Sequence, residues 1–285
     1  MRLGTLNTDG GSRAVALQDG RAAELGASLR ELLAEGDGAL RRAVAGAGPG
    51  QPFEPSRLGP ALPDPGKILC VGRNYADHAA ELGNHTPDRV PEIFLRSRTS
   101  LAGPYQDVYR SRASTSMDFE VELALIIGRP GRYIEAADAM THIAGYCVFN
   151  DISYRDFQNF GSQWIPGKNF DGSGPLGPFL VTADEIADPF DLDLTCTIVA
   201  ADGGEQEMQR SNTSLMVHRI PDVIAFISQF TTLEAGDVIA TGTPGGVGFG
   251  RRPPRWLEPG ETVVCRVEGV GELKNKVLEE PRSNP

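Results

Sequence analysis

The apolar residues of this chain fall in short runs closed at both ends by glycine, proline or acidic residues. Seven of these runs read as strands: KILCVG, VELALIIG, IAGYCVFND, LTCTIVA, DVIATG, TVVCRVEG and GELKNKV. A composition of 34 glycines and 21 prolines supplies the turns that so many short strands need. Helical spacing is confined to a few places in the same region: NYADHAAELG, EAADAMTHI, DISYRDFQNF and LMVHRIPDVIAFISQF. Strands and helices do not alternate regularly, which argues against a doubly wound nucleotide-binding sheet and for a mainly β, α+β fold. Two turns, LEAGDVI from Leu233 and LEPGETV from Leu257, share a pattern without being part of a repeat.

Residues 2–18 predict a hairpin turning at Asp9-Gly10-Gly11, followed by helical spacing at Leu29, Leu32, Leu33, Leu40 and Val44, broken near Gly36. A proline-rich stretch, PGQPFEPSRLGPALPDPGK, then excludes a helix or a central strand and reads as an extended linker. The chain of 285 residues is thus expected to divide into a small N-terminal α+β module with its linker, 1–62, and a catalytic domain, 63–285.

A net charge of −11 argues against nucleic acid or an anionic membrane as partner. No apolar run reaches the length of a membrane span, and MRLGTLNTDGG does not read as a signal peptide. Cys70, Cys147, Cys196 and Cys265 lie far apart in apolar runs, so buried reduced thiols in a cytoplasmic protein are expected.

The candidate chemistry is acidic. In MDFEVELALIIG an extended chain points Asp118, Glu120 and Glu122 to one side, at the mouth of a strand apolar on both faces. Asp151 ends another apolar run, where it reads equally as a turn or helix-cap residue. Oxygen ligands without Cys or His suit Mg²⁺, Mn²⁺ or Ca²⁺; solvated carboxylates at an exposed strand end explain the spacing as well. In NYADHAAELG, Asn74 is placed to cap a helix on which His78 and Glu81 share a face, either as a general base and its orienting carboxylate or as a surface ion pair. Lys168 sits among glycines and prolines, and the loop from Thr241 to Gly248 lacks both the P-loop and the dinucleotide spacing.

Five ordered segments, CVGRNYADHAAELG, DFEVELALIIG, AGYCVFNDISYRDFQ, PGKNFDGSGPLGPFLVT and LEAGDVIATGTPGGVG, resemble the fumarylacetoacetate hydrolase family. The likeness is to its branch of acylpyruvate hydrolases and 2-hydroxyhepta-2,4-diene-1,7-dioate isomerases. The resemblance implies a mixed β-sandwich or roll, a homodimer, and a Mg²⁺ or Mn²⁺ site (Ca²⁺ as a third option) on Glu120, Glu122 and Asp151. Asp118 falls outside the ligand set, beside it or solvated. His78 and Glu81 correspond to the family's catalytic dyad, on a segment, 76–90, expected to close over the site. Lys168 corresponds to the active-site lysine, Arg155 and Gln158 to polar residues beside the metal aspartate, and Thr243 to a threonine holding a substrate carboxylate. Arg73 adds positive charge for an anionic 2-oxo acid, and Arg96 stands where many members have lysine. The implied activity is hydrolysis of an acylpyruvate to a carboxylic acid and a 2-oxo acid, as in aromatic catabolism. Decarboxylation, isomerisation or tautomerisation, and hydration are the alternatives of the same site. A metal-stabilised interaction module without enzymatic activity is the alternative of another class.

Overall fold

The computed structural model describes residues 1–83 and 90–282. It is mainly β, as the short apolar runs predict. One large mixed sheet runs in the order 51–52, 21–24, 11–18, 2–8, 174–182, 143–150, 121–127, 238–240, 68–72, 92–96. Neighbours along it are antiparallel except Val238–Ala240 and Ile68–Gly72, which run parallel. A five-stranded sheet, in the order 205–212, 193–199, 262–267, 271–279, 108–110, packs against one face of the first.

The strand Val121–Ile127 shows why its sequence is apolar on both faces. Val121, Leu123, Leu125 and Ile127 point into one core with Leu194, Cys196, Val263 and Leu273 of the five-stranded sheet. Helix Ile220–Phe230 closes the same core through Ile220, Val223, Ile224 and Ile227. Ala124 and Ile126 point the other way, into a second core with Leu29, Leu32, Leu33 and Leu40 of the N-terminal helices. Those helices, Leu29–Ala34 and Asp37–Gly46, form where the spacing places them; the first starts in a capping box between Ser28 and Glu31.

The N-terminal hairpin turns at Asp9-Gly10 and continues the large sheet, with Leu3 beside Leu180. The proline-rich stretch is extended and packed: Ala61 donates its N–H to Leu176, and Leu58, Ala61 and Leu62 are buried. Both LEAGDVI and LEPGETV turn through a glycine at positive φ, Gly236 at 83° and Gly260 at 96°, before launching a strand. The four cysteines are buried free thiols, with the Cys196 and Cys265 sulfurs facing each other at 3.9 Å. Two helical expectations shrink to single turns. Ser153–Tyr154 pairs with Met117–Asp118 as strand, leaving only Arg155–Gln158 helical, and EAADAMTHI gives a short 3₁₀ turn, Ala139–His142.

Leu3 has no solvent exposure at the joint between hairpin and sheet. Leu3→Ala should cost about 2–4 kcal/mol of unfolding free energy in urea titrations. An unchanged midpoint would show that the N-terminal strand contributes nothing to the stability of the sheet.

Candidate metal centre and active-site cavity

The acidic site lies where two strands end together. Val121–Ile127 pairs antiparallel with Ile143–Asn150, with Val121 opposite Asn150, so that Glu122 and Asp151 arrive at one edge. The acids do not sit on one continuous strand, as simple alternation predicts. The ladder breaks at Phe119-Glu120, because Met117–Asp118 pairs elsewhere. Glu120 is held across that break: its N–H donates to Asn150 Oδ1 at 3.1 Å and its carbonyl accepts from Asp151 N at 2.9 Å. One carboxylate oxygen from each of Glu120, Glu122 and Asp151 then lies within 4.8 Å of the others, and all three side chains are buried. The solvated strand end is therefore excluded by the burial, and the donor set is one that can hold a hard divalent cation.

Asp118 is not solvated either. It is fully buried and accepts from Arg155 Nε (2.8 Å), Phe119 N (2.9 Å), Gly248 N (2.7 Å) and Phe249 N (3.0 Å). Its carboxylate thereby ties the glycine-rich loop to Arg155. Gly248 is needed there, since a Cβ would fall 1.8 Å from Arg255 O and 2.7 Å from Asp118 Oδ1.

Three buried cations answer these charges. Arg155 Nη2 lies 2.6 Å from Glu120 Oε1, and its Nη1 donates to Gln158 Oε1 at 2.9 Å. Arg96 donates to Asp151 Oδ1, to the Ile152 carbonyl and to the Ser100 and Ser173 hydroxyls. It is thus bound to a carboxylate from behind and does not reach toward an external anion. Lys168 Nζ donates to Glu120 Oε2 at 2.8 Å and to Asp151 Oδ2 at 2.7 Å. Among the described residues Glu122 has no ion pair, and it accepts from Gly242 N at 2.9 Å.

The protonation equilibria follow this wiring. Burial opposes ionisation of Glu120, but Lys168 and Arg155 outweigh it and hold the carboxyl below the usual range. Burial likewise opposes the charge on Lys168, and Asp151 with Glu120 more than restores it. Glu122 moves the other way: burial, then the negative charges of Asp151 and Glu120, push it well above the usual carboxylate range. Four carboxylates (Asp118 included) against three cations leave the cluster at −1, or neutral with Glu122 protonated. A dication replacing that proton brings it to +1, a charge suited to an anionic ligand.

Helix Ala76–Glu81 brings His78 to the same place. Its Nδ1 lies 2.8 Å from Glu81 Oε1, while Glu81 Oε2 accepts from Gly246 N at 2.8 Å. The helix begins after Tyr75, and Asn74 does not cap it. The Asn74 amide instead bonds His218 N, His218 O and Thr241 O, joining the helix, the glycine-rich loop and the segment before Ile220. Of the segment expected to close over the site, residues 84–89 lie outside the described residues.

His78, the three carboxylates, Lys168, Arg155, Gln158 and Thr243 line one cavity of about 120 Å³, walled by Phe94, Trp164 and Phe249. Arg73 stands at its rim, its Nε 2.8 Å from Glu92 Oε2 and its guanidinium over the Trp164 ring. The Thr243 hydroxyl donates to Val121 O and accepts from Gln209 Nε2. Gln209, unmarked by any motif, also accepts from Val121 N and donates to Pro244 O, so it splices the five-stranded sheet to the strand Val121–Ile127 and the loop.

A double-layered mainly β fold with a buried acidic triad and a histidine–glutamate pair over a small cavity defines the class. The chain belongs to the fumarylacetoacetate hydrolase family: residues 67–278 match its Fumarylacetoacetate (FAA) hydrolase C-terminal description. It is 43% identical over 256 residues to the oxaloacetate tautomerase FAHD2A, mitochondrial, of Bos taurus, covering 88% of this chain and 80% of that one. The crystal structure of a putative HpcE protein from Mycobacterium smegmatis matches with a TM-score of 0.87 at 35% identity, over 99% of this chain and 100% of that one. Fumarylacetoacetate hydrolase from the psychrophilic Exiguobacterium antarcticum matches with a TM-score of 0.83 at 33% identity, over 98% and 100%.

Two outcomes are expected of the acidic site. Divalent-cation binding should release a proton from Glu122, so Mn²⁺ affinity should rise with pH across a range above that of ordinary carboxylates. Calorimetry in buffers of different ionisation enthalpy reads this directly; pH-independent affinity without proton release would refute it, and Glu122→Ala should abolish binding. Arg96→Lys should weaken Mn²⁺ binding by about 10–100-fold, the usual cost of loosening a ligand's hydrogen-bonded support. Lysine cannot reach Asp151 and both serine hydroxyls together, and wild-type affinity in that variant would leave Arg96 without this role.

Proposed function

We propose that this chain is a divalent-metal-dependent enzyme of small 2-oxo acids that forms and reprotonates an enolate, with tautomerisation of an oxaloacetate-type 2-oxo diacid as its main reaction. The observation that carries this reading is the convergence of His78, Lys168, Arg155 and the buried triad on a cavity of only about 120 Å³, which suits a compact acid. The likeness to oxaloacetate tautomerases supports it. Glu120, Glu122 and Asp151 are the metal ligands in this reading, with Mg²⁺ or Mn²⁺ preferred and Ca²⁺ the third option. A divalent cation there supplies Lewis-acid polarisation of the keto and carboxylate oxygens of a 2-oxo acid.

The protein groups do the rest. His78, oriented by its 2.8 Å contact with Glu81, removes the proton from the carbon next to the keto group and returns it. Lys168 and Arg155 face the growing negative charge on the enolate oxygen, in a site already dry enough for their charges to count. Gln158 steadies Arg155, Thr243 and the loop bound the carboxylate end, and Arg73 at the rim faces the far end of the substrate.

The second reading, C–C hydrolysis of an acylpyruvate, is favoured by the same 2.8 Å pairing of His78 and Glu81, which also suits activation of an attacking water. The proposal further places the chemistry in residues 63–285, with 1–62 backing the sheet, in a homodimer. Among the described residues no helix is long and apolar enough to cross a membrane. Buried free thiols suit a reducing compartment, here proposed as the cytoplasm, although the tautomerase relatives are mitochondrial by name.

Oxaloacetate and a set of acylpyruvates, followed by loss of enol absorbance with Mg²⁺ or Mn²⁺ and by product analysis, separate the readings. Enol-to-keto conversion without cleavage supports the first; equal amounts of pyruvate and a carboxylic acid support the second. In either case His78→Ala should lower kcat by about 10²–10⁴-fold, the loss typical of a general base. Glu81→Gln should lower it less, because the imidazole remains. Wild-type turnover in His78→Ala would leave the mechanism without its base.

A further inference from the structure

The three buried cations are not held alike. Arg96 and Arg155 each have partners apart from the candidate metal ligands. Arg96 is tied to Ile152 O, Ser100 and Ser173, and Arg155 to Asp118 and Gln158. Among the described residues, the hydrogen bonds of Lys168 go only to Glu120 Oε2 and Asp151 Oδ2, and its ammonium also stands 5.2 Å over the Phe94 ring. The oxygens it uses are also the ones the arginines leave, since Glu120 Oε1 faces Arg155 and Asp151 Oδ1 faces Arg96. A dication shared by Glu120, Glu122 and Asp151 would compete with Lys168 for these two oxygens, the ones no arginine already occupies. Two cations on the same pair of oxygens repel strongly in a buried site.

We propose that Lys168 is the internal counter-cation of the metal centre: it takes the cation's place on Glu120 and Asp151 in the metal-free protein and yields those oxygens when a divalent ion enters. Its ammonium, on a flexible four-carbon stem, then turns into the cavity it already lines. The arginines, anchored by their other partners, stay and keep the two carboxylates aimed. Metal entry thereby prepares the positive group that an anionic substrate meets, and metal is expected to bind before substrate. This inference rests on the metal reading of the triad but not on which 2-oxo acid reacts.

The test is Mn²⁺ calorimetry and thermal unfolding of the wild type and Lys168→Met, whose side chain is similar in length and uncharged. Removing the competing charge should tighten Mn²⁺ binding by about tenfold or more, the scale of one unit-charge repulsion across a few ångströms of protein. The metal-free variant should melt below the wild type, and saturating Mn²⁺ should raise its Tm by more. A lysine that serves only to bind substrate, or only to brace the carboxylates, predicts equal or weaker metal affinity, and that result would overturn the proposal. Failure of the wild type itself to bind Mn²⁺ would overturn the metal reading and, with it, the proposal. Should Lys168→Met not fold, the wild type still decides. The chain has four lysines, Lys67, Lys168, Lys274 and Lys276, so the ammonium signal of Lys168 is resolvable after ¹⁵N-lysine labelling. Mg²⁺ should shift that signal and speed its hydrogen exchange; an unchanged signal at saturating Mg²⁺ would overturn the exchange of places.

Discussion

Four carboxylates buried within one strand end and its neighbours are the constraint to which the surrounding structure answers. Uncompensated, charges so placed would oppose folding, since removing a single partner from a buried pair typically costs about 3–5 kcal/mol. The compensation comes from distant parts of the chain: Arg96 from the edge strand, Arg155 and Lys168 from two single-turn helices, and backbone N–H groups from the glycine-rich loop. Segments that share no local preference for one another are thereby drawn to one point. The site is as much a folding device as a chemical one.

Rigidity around this point comes from packing on both sides of the strand Val121–Ile127. The five-stranded sheet and helix Ile220–Phe230 cover one face, and the N-terminal helices cover the other. Glu122 therefore projects from a strand with little freedom to move. Gln209 and Asn74, each buried and satisfied at both ends of its amide, fasten the loop and the His78 helix to that frame. A glutamine or asparagine at such a junction offers a donor and an acceptor without adding charge to an already crowded electrostatic site.

The division of roles among the cations has a chemical logic. A guanidinium satisfied on several sides behaves as fixed wiring, while an ammonium with few partners is free to exchange one anion for another. In the proposed reading the cluster would pass from near-neutral to net positive when a dication replaces the Glu122 proton, which would link the affinity for an anionic 2-oxo acid to the presence of metal. The histidine–glutamate pair lines the same small cavity, placed by the proposal to act on whatever that charge draws in.

Much of this was legible in the sequence because it depends on local periodicity and spacing. Short apolar runs between turn residues specify strands, alternation along VELALII specifies which residues face each core, and the ordered motifs carry Glu120, Glu122, Asp151, His78, Glu81 and Lys168. Only the tertiary structure decided the rest. Simple alternation along MDFEVE suggested one continuous strand, yet Met117–Asp118 left it to pair with Ser153–Tyr154, and Asp118 became a buried anchor for Arg155 and the loop. Asn74 looked like a helix cap and instead spans three segments, and Gln209 sits in a polar strand, EQEMQRSN, that carries no mark of its part. Local sequence sets which way a side chain points along its own element. Which carboxylate is pushed toward its protonated form and which cations have partners beyond the acidic cluster depend on groups brought together from 17 to 130 residues away, and that information exists only once the chain has folded.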